Sequence, residues 1–383
     1  MRSAIEQLPA SRIREVANAG LDRSDVLAFW FGESDEVTPA AVRDAAAASL
    51  ARGETFYAHN LGLAELREAL AAYTSALHRP LDIDRIAVTS AGVTALMLAM
   101  QLLAGPGDEV VAVVPVWPNL TAQPAILGAR VTRVALAPRA DGAWALDLQR
   151  LLAAVTPATR VLLVNAPNNP TGWTLTRAEQ QAILDHCRTT GTWVVADEVY
   201  ERIWFGHGRA APSFLDIAAP DDRLVIAQSF SKTFLMTGWR LGWLVLPPGH
   251  LDAIGKLIEF NSSCAPVFVQ RGALAALAIE GEFVPGLVQR LRGGRDLLVA
   301  GLTGLPGVQV ALPQGGLYAF FRVEGQADSL AYAKHLVAAH GLGLAPGVAF
   351  GAEAEGWLRW CFATQDPARL HLGLGRLAAA RGL

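Results

Sequence analysis

Residues 229 to 240 read Ser-Phe-Ser-Lys-Thr-Phe-Leu-Met-Thr-Gly-Trp-Arg, a segment that places one amine among small donors. Lys232 follows the apolar run Leu224 to Gln228, which begins after the Asp221-Asp222 turn and has the make-up of a strand. A lysine held in such a place can form an imine with a carbonyl compound, the usual way an amine serves as a covalent catalyst. Ser229, Ser231 and Arg240 are the donors that a neighbouring phosphate needs. Taken alone, the segment equally describes a loop lysine beside an arginine on a wet surface.

Three upstream features supply complementary chemistry. The apolar run Val161 to Val164 ends in Asn165-Ala-Pro-Asn-Asn169-Pro-Thr-Gly172, a cluster of turn formers that in isolation is only a strand-to-loop turn. Trp193 to Ala196 reads as a buried strand delivering Asp197-Glu198-Val199-Tyr200 at its carboxyl end, the edge where open α/β sheets hold ligands. Asp197 could there be a carboxylate for a cationic group or a helix cap. Val88-Thr89-Ser90-Ala91-Gly92-Val93-Thr94 passes from a short strand through small residues into a helix, which leaves free backbone N–H groups at a positive helix end. Such junctions are common, so this feature gains meaning only beside the others.

Their order carries the argument. Asn169 precedes Asp197 by 28 positions, and Asp197 precedes Lys232 by 35. A small-residue turn, Asn-Pro-Thr-Gly, Asp-x-x-Tyr and Ser-x-x-Lys in this succession resemble the class I/II aminotransferases, pyridoxal-phosphate-dependent enzymes of fold type I, from about Gly32 to Arg359. The resemblance implies pyridoxal 5'-phosphate (PLP) as cofactor, bound as a Schiff base of Lys232. It implies Asp197 against the pyridine nitrogen, Asn169 and Tyr200 on the phenolic oxygen, and Trp117 over the ring. For the phosphate it implies the backbone of Ala91, Gly92 and Val93 together with Ser229, Ser231 and Arg240. The family often has glycine where this chain has Ala91. Tyr57, in Tyr-Ala-His-Asn-Leu-Gly, matches a tyrosine that reaches the phosphate of a neighbouring subunit, which implies a homodimer with sites at the interface. Arg359 would fork onto the substrate α-carboxylate, with Gly32, Trp117 and Asn169 beside it. Lys232, Asp197 and Tyr200 are the catalytic set so implied.

Length and composition bound the alternatives. A chain of 383 residues suits two domains. A net charge of −3 with scattered Lys and Arg argues against nucleic acid. Three distant cysteines, Cys187, Cys264 and Cys361, fit a reducing cytoplasm and no disulfide framework. No Cys-x-x-Cys or His-Glu-x-x-His spacing supports a metal site. Ile86 to Gly107 divides into strand, turn and helix, and Val110 to Ala129 carries three prolines, so neither apolar stretch is expected to span a membrane. Met1 to Ala10 lacks the apolar region of a secretory signal. The high apolar content suggests a large core plus a buried subunit interface.

Helix patterns at 40–50, 64–77, 94–103, 146–154 and 177–188 alternate with strand patterns at 86–89, 109–114, 130–134, 161–164, 193–196, 224–228 and 242–246. The fold class expected is α/β: a large domain, residues 46–284, with a mostly parallel seven-stranded sheet. A smaller α+β domain follows at 285–383, with strands near 308–312, 318–323 and 358–362, and residues 1–45 form an arm and part of it. A long helical span from about 251 to 300 is expected to break near Pro266 and Pro285. Gly341-Leu-Gly and Gly373-Leu-Gly do not open a βαβ unit and are rejected as dinucleotide fingerprints.

The function expected is transfer of an amino group between an amino acid and a 2-oxo acid. A C–S β-lyase or related eliminating enzyme of the same fold uses the same cofactor residues and stands as the alternative. A regulator with an aminotransferase-like sensor would need a DNA-binding module, and the region ahead of Gly32 is too short for one. With Trp30, Phe31 and Trp117 near the mouth and no second arginine evident, neutral, apolar or aromatic amino acids are the expected substrates.

Overall fold

The computed structural model describes residues 2–383. Its centre is a seven-stranded sheet of β1 (Ile86–Thr89), β2 (Glu109–Val114), β3 (Arg130–Ala135), β4 (Thr159–Asn165), β5 (Trp193–Asp197), β6 (Leu224–Ser229) and β7 (Gly242–Val245). The spatial order is β1-β7-β6-β5-β4-β2-β3, and only β7 runs antiparallel to its neighbours. Successive residues of one strand enter opposite cores: Val111 and Val113 pack on one face, Val110, Ala112 and Val114 on the other. Burial on both faces explains why these strands read as unbroken apolar runs.

Register brings the chemistry to one edge. Asn165 lies beside Asp197, Asp197 beside Ala227, Ser229 beside Gly242, and Gly242 beside Thr89. The carboxyl ends of β1, β4, β5 and β6 therefore meet at the start of β7. At β1 the chain turns through Ser90 and Ala91 into the helix Gly92–Leu103. Ala91 is held at φ 127°, ψ 159°, a conformation that a side chain resists and glycine accepts. The methyl group is kept where glycine would be unstrained.

A second sheet of four strands follows in the order β8-β9-β11-β10, with β8 at Val308–Val310, β9 at Tyr318–Val323, β10 at Ala345–Pro346 and β11 at Trp357–Cys361. A strand of the N-terminal arm, Leu27–Ala28, pairs in parallel with Leu342–Gly343, so the arm and this unit share backbone hydrogen bonds. The helical span divides into Leu251–Ser262, Val267–Ala278 and Glu280–Thr303. The break before Val267 is where Pro266 predicts it. Pro285 instead lies inside the last helix, the second break falling at Ile279. In the second turn this proline removes one bond, to the carbonyl of the exposed Gly281, which solvent can satisfy. Helices at Asn119–Leu127, Ser329–His340 and Pro367–Ala380 have no counterpart in the sequence-based assignment. Gly341 caps the second of these and Gly373 lies within the third, so neither opens a nucleotide-binding turn.

Beneath the segment that follows β5 lies a buried ionic cluster. The His78 ring places Nδ1 2.8 Å from Asp216 Oδ1 and Nε2 3.1 Å from Glu201 Oε2. Burial opposes its charge, but the two carboxylate hydrogen bonds outweigh that and raise its pKa from 6.5 to about 10. Arg177 pairs with the second oxygen of Asp216, Ser213 Oγ donates to Glu198, and Arg202 joins Tyr73 to Glu280. Glu201 and Arg202 directly follow Tyr200, so this cluster fixes the backbone that carries Asp197 and Tyr200.

Two predictions follow from these features. A folded-state pKa raised above the unfolded value gives stability that is complete below about pH 6.5 and lost as pH rises through about 10. His78→Gln is therefore expected to lower the urea midpoint most at pH 6, with the gap to wild type closing toward pH 10. A gap independent of pH would remove the ionic role. For Ala91, relief of about 1–3 kcal/mol of backbone strain outweighs the roughly 0.4–1 kcal/mol that glycine's unfolded freedom costs. Ala91→Gly should unfold at the same or a higher urea concentration, and a clear fall in midpoint would contradict the strain.

Candidate active site

The sheet edge opens into a cavity of about 430 Å³ lined by Gly32, Gly92, Val93, Trp117, Asn169, Asp197, Tyr200, Ser229, Ser231, Lys232, Arg240 and Arg359, with Arg14, Phe31 and Tyr318 among the remaining walls. Of the residues singled out from sequence, Ala91 and Tyr57 lie off this surface. Ala91 is buried behind the turn, which leaves Gly92 and Val93 as the first residues of the helix to face the cavity. Tyr57 is 89% exposed. The chain does not direct it into its own cavity.

Local structure explains each placement. Lys232 sits on the short helix Phe230–Thr233 that continues β6, capped by the Ser229 hydroxyl on Ser231 N–H. Its Nζ donates to the carbonyl of Gly32 at 2.6 Å. Burial, reinforced by the nearby Arg359 and Arg240 and opposed by Cys361 and Glu33, lowers the lysine pKa to about 8. Asp197 ends β5 with one weak donor, Val199 N–H at 3.4 Å. Burial pushes its carboxyl up to about 7 against the pull of that donor and of Lys232. A cation brought beside it would restore its charge.

Asn165 and Asn168, quoted only as turn formers, tie the loops together. The Asn165 amide donates to the Asp197 carbonyl at 3.0 Å and its oxygen accepts from Asn169 N–H at 2.7 Å. Asn168 accepts from the backbone and hydroxyl of Thr171. Both are buried, so each unmade bond would be costly. The recurrence of Asn in Asn165-Ala-Pro-Asn-Asn169 was the available signal.

Arg359 lies on β11, 2% exposed. Its Nη1 donates to Asn169 Oδ1 at 2.8 Å and its Nη2 to the Trp30 carbonyl at 2.6 Å, while its Nε is buried without a partner. Both partners are neutral. Because Asn169 gives its oxygen to Arg359, its amide nitrogen is the group left to face a ligand. Arg240, in left-handed conformation, donates to the Thr237 carbonyl and lines the cavity with no carboxylate partner among the described residues. Glycines let the turn after β1 and the ends of β6 and β7 pack closely together at the cavity's edge. A Cβ on Gly92 would come within 2.9 Å of Ser229 Cβ, and one on Gly242 within 2.6 Å of Gly92 N.

Two cavity residues escaped the sequence reading. Tyr318, at the start of β9, hydrogen-bonds the Tyr200 hydroxyl at 2.7 Å. Its only signal was a tyrosine after the Gly315-Gly316 pair, and its partners come from tertiary structure. Arg14, on the N-terminal helix Arg12–Asn18, stacks its guanidinium 4.7 Å above the Phe31 ring. The expectation of a mouth without a second arginine is thus corrected. The helix packs there through Ile13, Val16 and Ala17, and sequence spacing alone does not reveal which cavity it approaches.

Similarity to known proteins agrees with this geometry. The family described as aminotransferase class I and II matches residues 25–377. An aspartate aminotransferase of Pyrococcus horikoshii is 30% identical over 358 residues, covering 92% of this chain and 90% of that protein. An arginine–pyruvate transaminase of Pseudomonas aeruginosa is 32% identical over 340 residues, covering 88% of this chain and 85% of that protein. The crystal structure of an aspartate aminotransferase from Thermotoga maritima superposes with a TM-score of 0.92 at 29% identity over 100% of both chains. Nothing among these relatives favours the eliminating alternative. With its match running through both sheets and every residue of the cavity wall from Phe31 onward, the chain belongs to the class I and II aminotransferases and moves an amino group between an amino acid and a 2-oxo acid.

Proposed function

We propose that the cavity holds PLP, with Lys232 as its covalent anchor, and that two copies of the chain complete each site. The observation that carries this reading is the charge of the wall: Lys232, Arg240 and Arg359 line it with one carboxylate, Asp197, while Glu33 acts on Lys232 from outside it. Such a wall suits a ligand with a phosphate, a cationic ring nitrogen beside Asp197, and a second ligand with a carboxylate. The unpartnered Arg359 Nε and the cavity edge formed by Gly92, Ser229 and Arg240 fit those groups.

Bound there, the cofactor supplies an electron-accepting ring next to the carbon that carries the amino group. Asp197 keeps a proton on the ring nitrogen. Tyr200 and the Asn169 amide nitrogen donate to the phenolic oxygen, and Trp117 covers one ring face. The N–H groups of Gly92 and Val93, the hydroxyls of Ser229 and Ser231, and Arg240 hold the phosphate. Arg359 forks onto the substrate α-carboxylate, and Lys232, poised near pH 8, takes and returns a proton at the α-carbon.

Support for a two-chain site comes from the surface. Phe56, Tyr57 and Phe260 are each more than 80% exposed. Contacts of Ala58 with Cys264 and of Asn60 with Gly255 fasten the Phe56–Asn60 loop against the helix that carries Phe260. Aromatic side chains grouped in this way suit burial against a second copy, where Tyr57 would reach the other chain's phosphate corner. The side-chain end of the substrate is bounded by Phe31, Trp117 and Arg14, so the sequence-based preference for neutral side chains loses its premise.

Arg359→Ala leaves the carboxylate's place without its cation. That costs roughly 3–5 kcal/mol, about two to four decades in kcat/KM, with cofactor uptake retained. Tyr57→Ala should weaken cofactor retention. At limiting cofactor, refolding a mixture of Arg359→Ala and Tyr57→Ala chains should restore activity that neither has alone, because one site of the mixed dimer then carries both native side chains. Near-normal kcat/KM for Arg359→Ala would reject its role, and failure of the mixture to recover would reject the shared site.

A further inference from the structure

Tyr318 occupies a position that the roles above do not use. It is 1% exposed, and its ring meets the Tyr200 ring edge to face, with centroids 5.8 Å apart. The two hydroxyls are 2.7 Å apart. Arg359 places its guanidinium carbon 4.2 Å above the Tyr318 ring. On the other side, a Cβ at Gly32 would lie 1.9 Å from the Tyr318 hydroxyl. Gly32 therefore lacks a side chain in order to admit Tyr318, while its carbonyl receives Lys232. One phenol thus touches the structural supports of Tyr200, Arg359 and Lys232 together.

A phenol has one proton to donate and two acceptor positions. In a pair of phenols only one direction leaves the Tyr200 proton free for the cavity: Tyr318 must donate and Tyr200 accept. The surroundings favour that direction. The Arg359 cation, 4.2 Å over the Tyr318 ring, draws electron density from it and strengthens it as a donor, whereas the cation over Tyr200, the Lys232 amine, stands farther off at 5.9 Å and Asp197 faces the same ring. Burial raises both phenols, Tyr318 to about 12 and Tyr200 well above its usual value.

We propose that Tyr318 is a positioning residue whose hydroxyl donates to the Tyr200 oxygen and so commits the Tyr200 proton to the ligand oxygen in the cavity. The proposal rests on the reading that Tyr200 donates to the cofactor's phenolic oxygen. It also gives Arg359 a second effect: the cation that receives the substrate carboxylate polarises, through Tyr318, the donor aimed at the cofactor. The titratable groups facing the pair are Asp197, Lys232, Arg359, Cys361 and Glu33, and the substitutions below leave each of them in place.

The test is the pH midpoint of the bound cofactor's visible absorption in the holoenzyme. Donation to the phenolic oxygen drains the charge that attracts the neighbouring nitrogen's proton, and so keeps this midpoint low. Tyr318→Phe should raise it by about half a unit to one unit, the equivalent of one ordinary hydrogen bond. KM for the amino acid should stay within about twofold, since phenylalanine keeps the ring under Arg359, while kcat falls about tenfold. Replacing Tyr318 by 3-fluorotyrosine, a stronger donor of almost the same shape, should move the midpoint downward. In a Tyr200→Phe background neither change at position 318 should move it further. Equal shifts in both backgrounds, or none with Tyr200 present, would overturn the proposal. If Tyr200→Phe alone leaves the midpoint unmoved, the reading of Tyr200 fails first and this one falls with it.

Discussion

Gathering cations around one cavity, the innermost of them out of water, is the constraint on which the structure turns. Arg14, Lys232, Arg240 and Arg359 line one space with Asp197 as the only carboxylate among them. Arg14 and Arg240 keep part of their surface in water, but Lys232 and Arg359 repel one another with little screening, and removing a charge from water costs several kcal/mol on top of that. The protein answers with neutral oxygens. Gly32, Trp30, Thr237 and Asn169 each turn a carbonyl or amide oxygen to one of these cations. Those contacts hold the side chains in place without neutralising them, which leaves the charge available to an anionic ligand. Lowering the Lys232 pKa to about 8 is part of the same balance, since a partly neutral amine is both less repelled and able to take a proton.

Holding that balance requires parts far apart in sequence. The parallel sheet aligns the ends of β4, β5 and β6 in register, so Asn165, Asp197 and Ser229 arrive at one edge. The second sheet contributes Arg359 and Tyr318 from paired strands, Phe320 lying opposite Arg359 and Tyr318 opposite Cys361. The N-terminal arm adds Trp30 and Gly32 as the acceptors that receive Arg359 and Lys232. Three separate regions therefore depend on one another at the cavity. The buried His78 cluster performs the equivalent task one layer below, where carboxylates and cations are paired instead of left open.

What could be read from sequence follows from how locally each feature is determined. The seven strands of the large sheet were legible because both faces are buried, giving apolar runs bounded by turns. Their chemistry was legible because parallel strands end in loops of fixed make-up, as in Asn165 to Gly172 and Asp197 to Tyr200. The C-terminal unit was harder. Its edge strand Ala345–Pro346 is only two residues long, and Ser329–His340 presents no clear polar and apolar faces. Pro285 misled because a proline early in a helix forfeits a single bond. Tyr318 and Arg14 were missed for a different reason. Their meaning lies in which residues they touch across the fold, and neither spacing nor composition encodes that.

On the function proposed above, this cation-rich wall holds a phosphate-bearing carbonyl compound at Lys232. The most direct measurement of this is titration of the purified chain with PLP, followed by borohydride reduction and mass spectrometry of the peptides. The account predicts one reduced pyridoxyl group per chain, carried by the peptide containing Lys232, with Lys232→Ala abolishing it. Reduction at Lys256 or Lys334 to the same extent, or no adduct on the native chain, would contradict it.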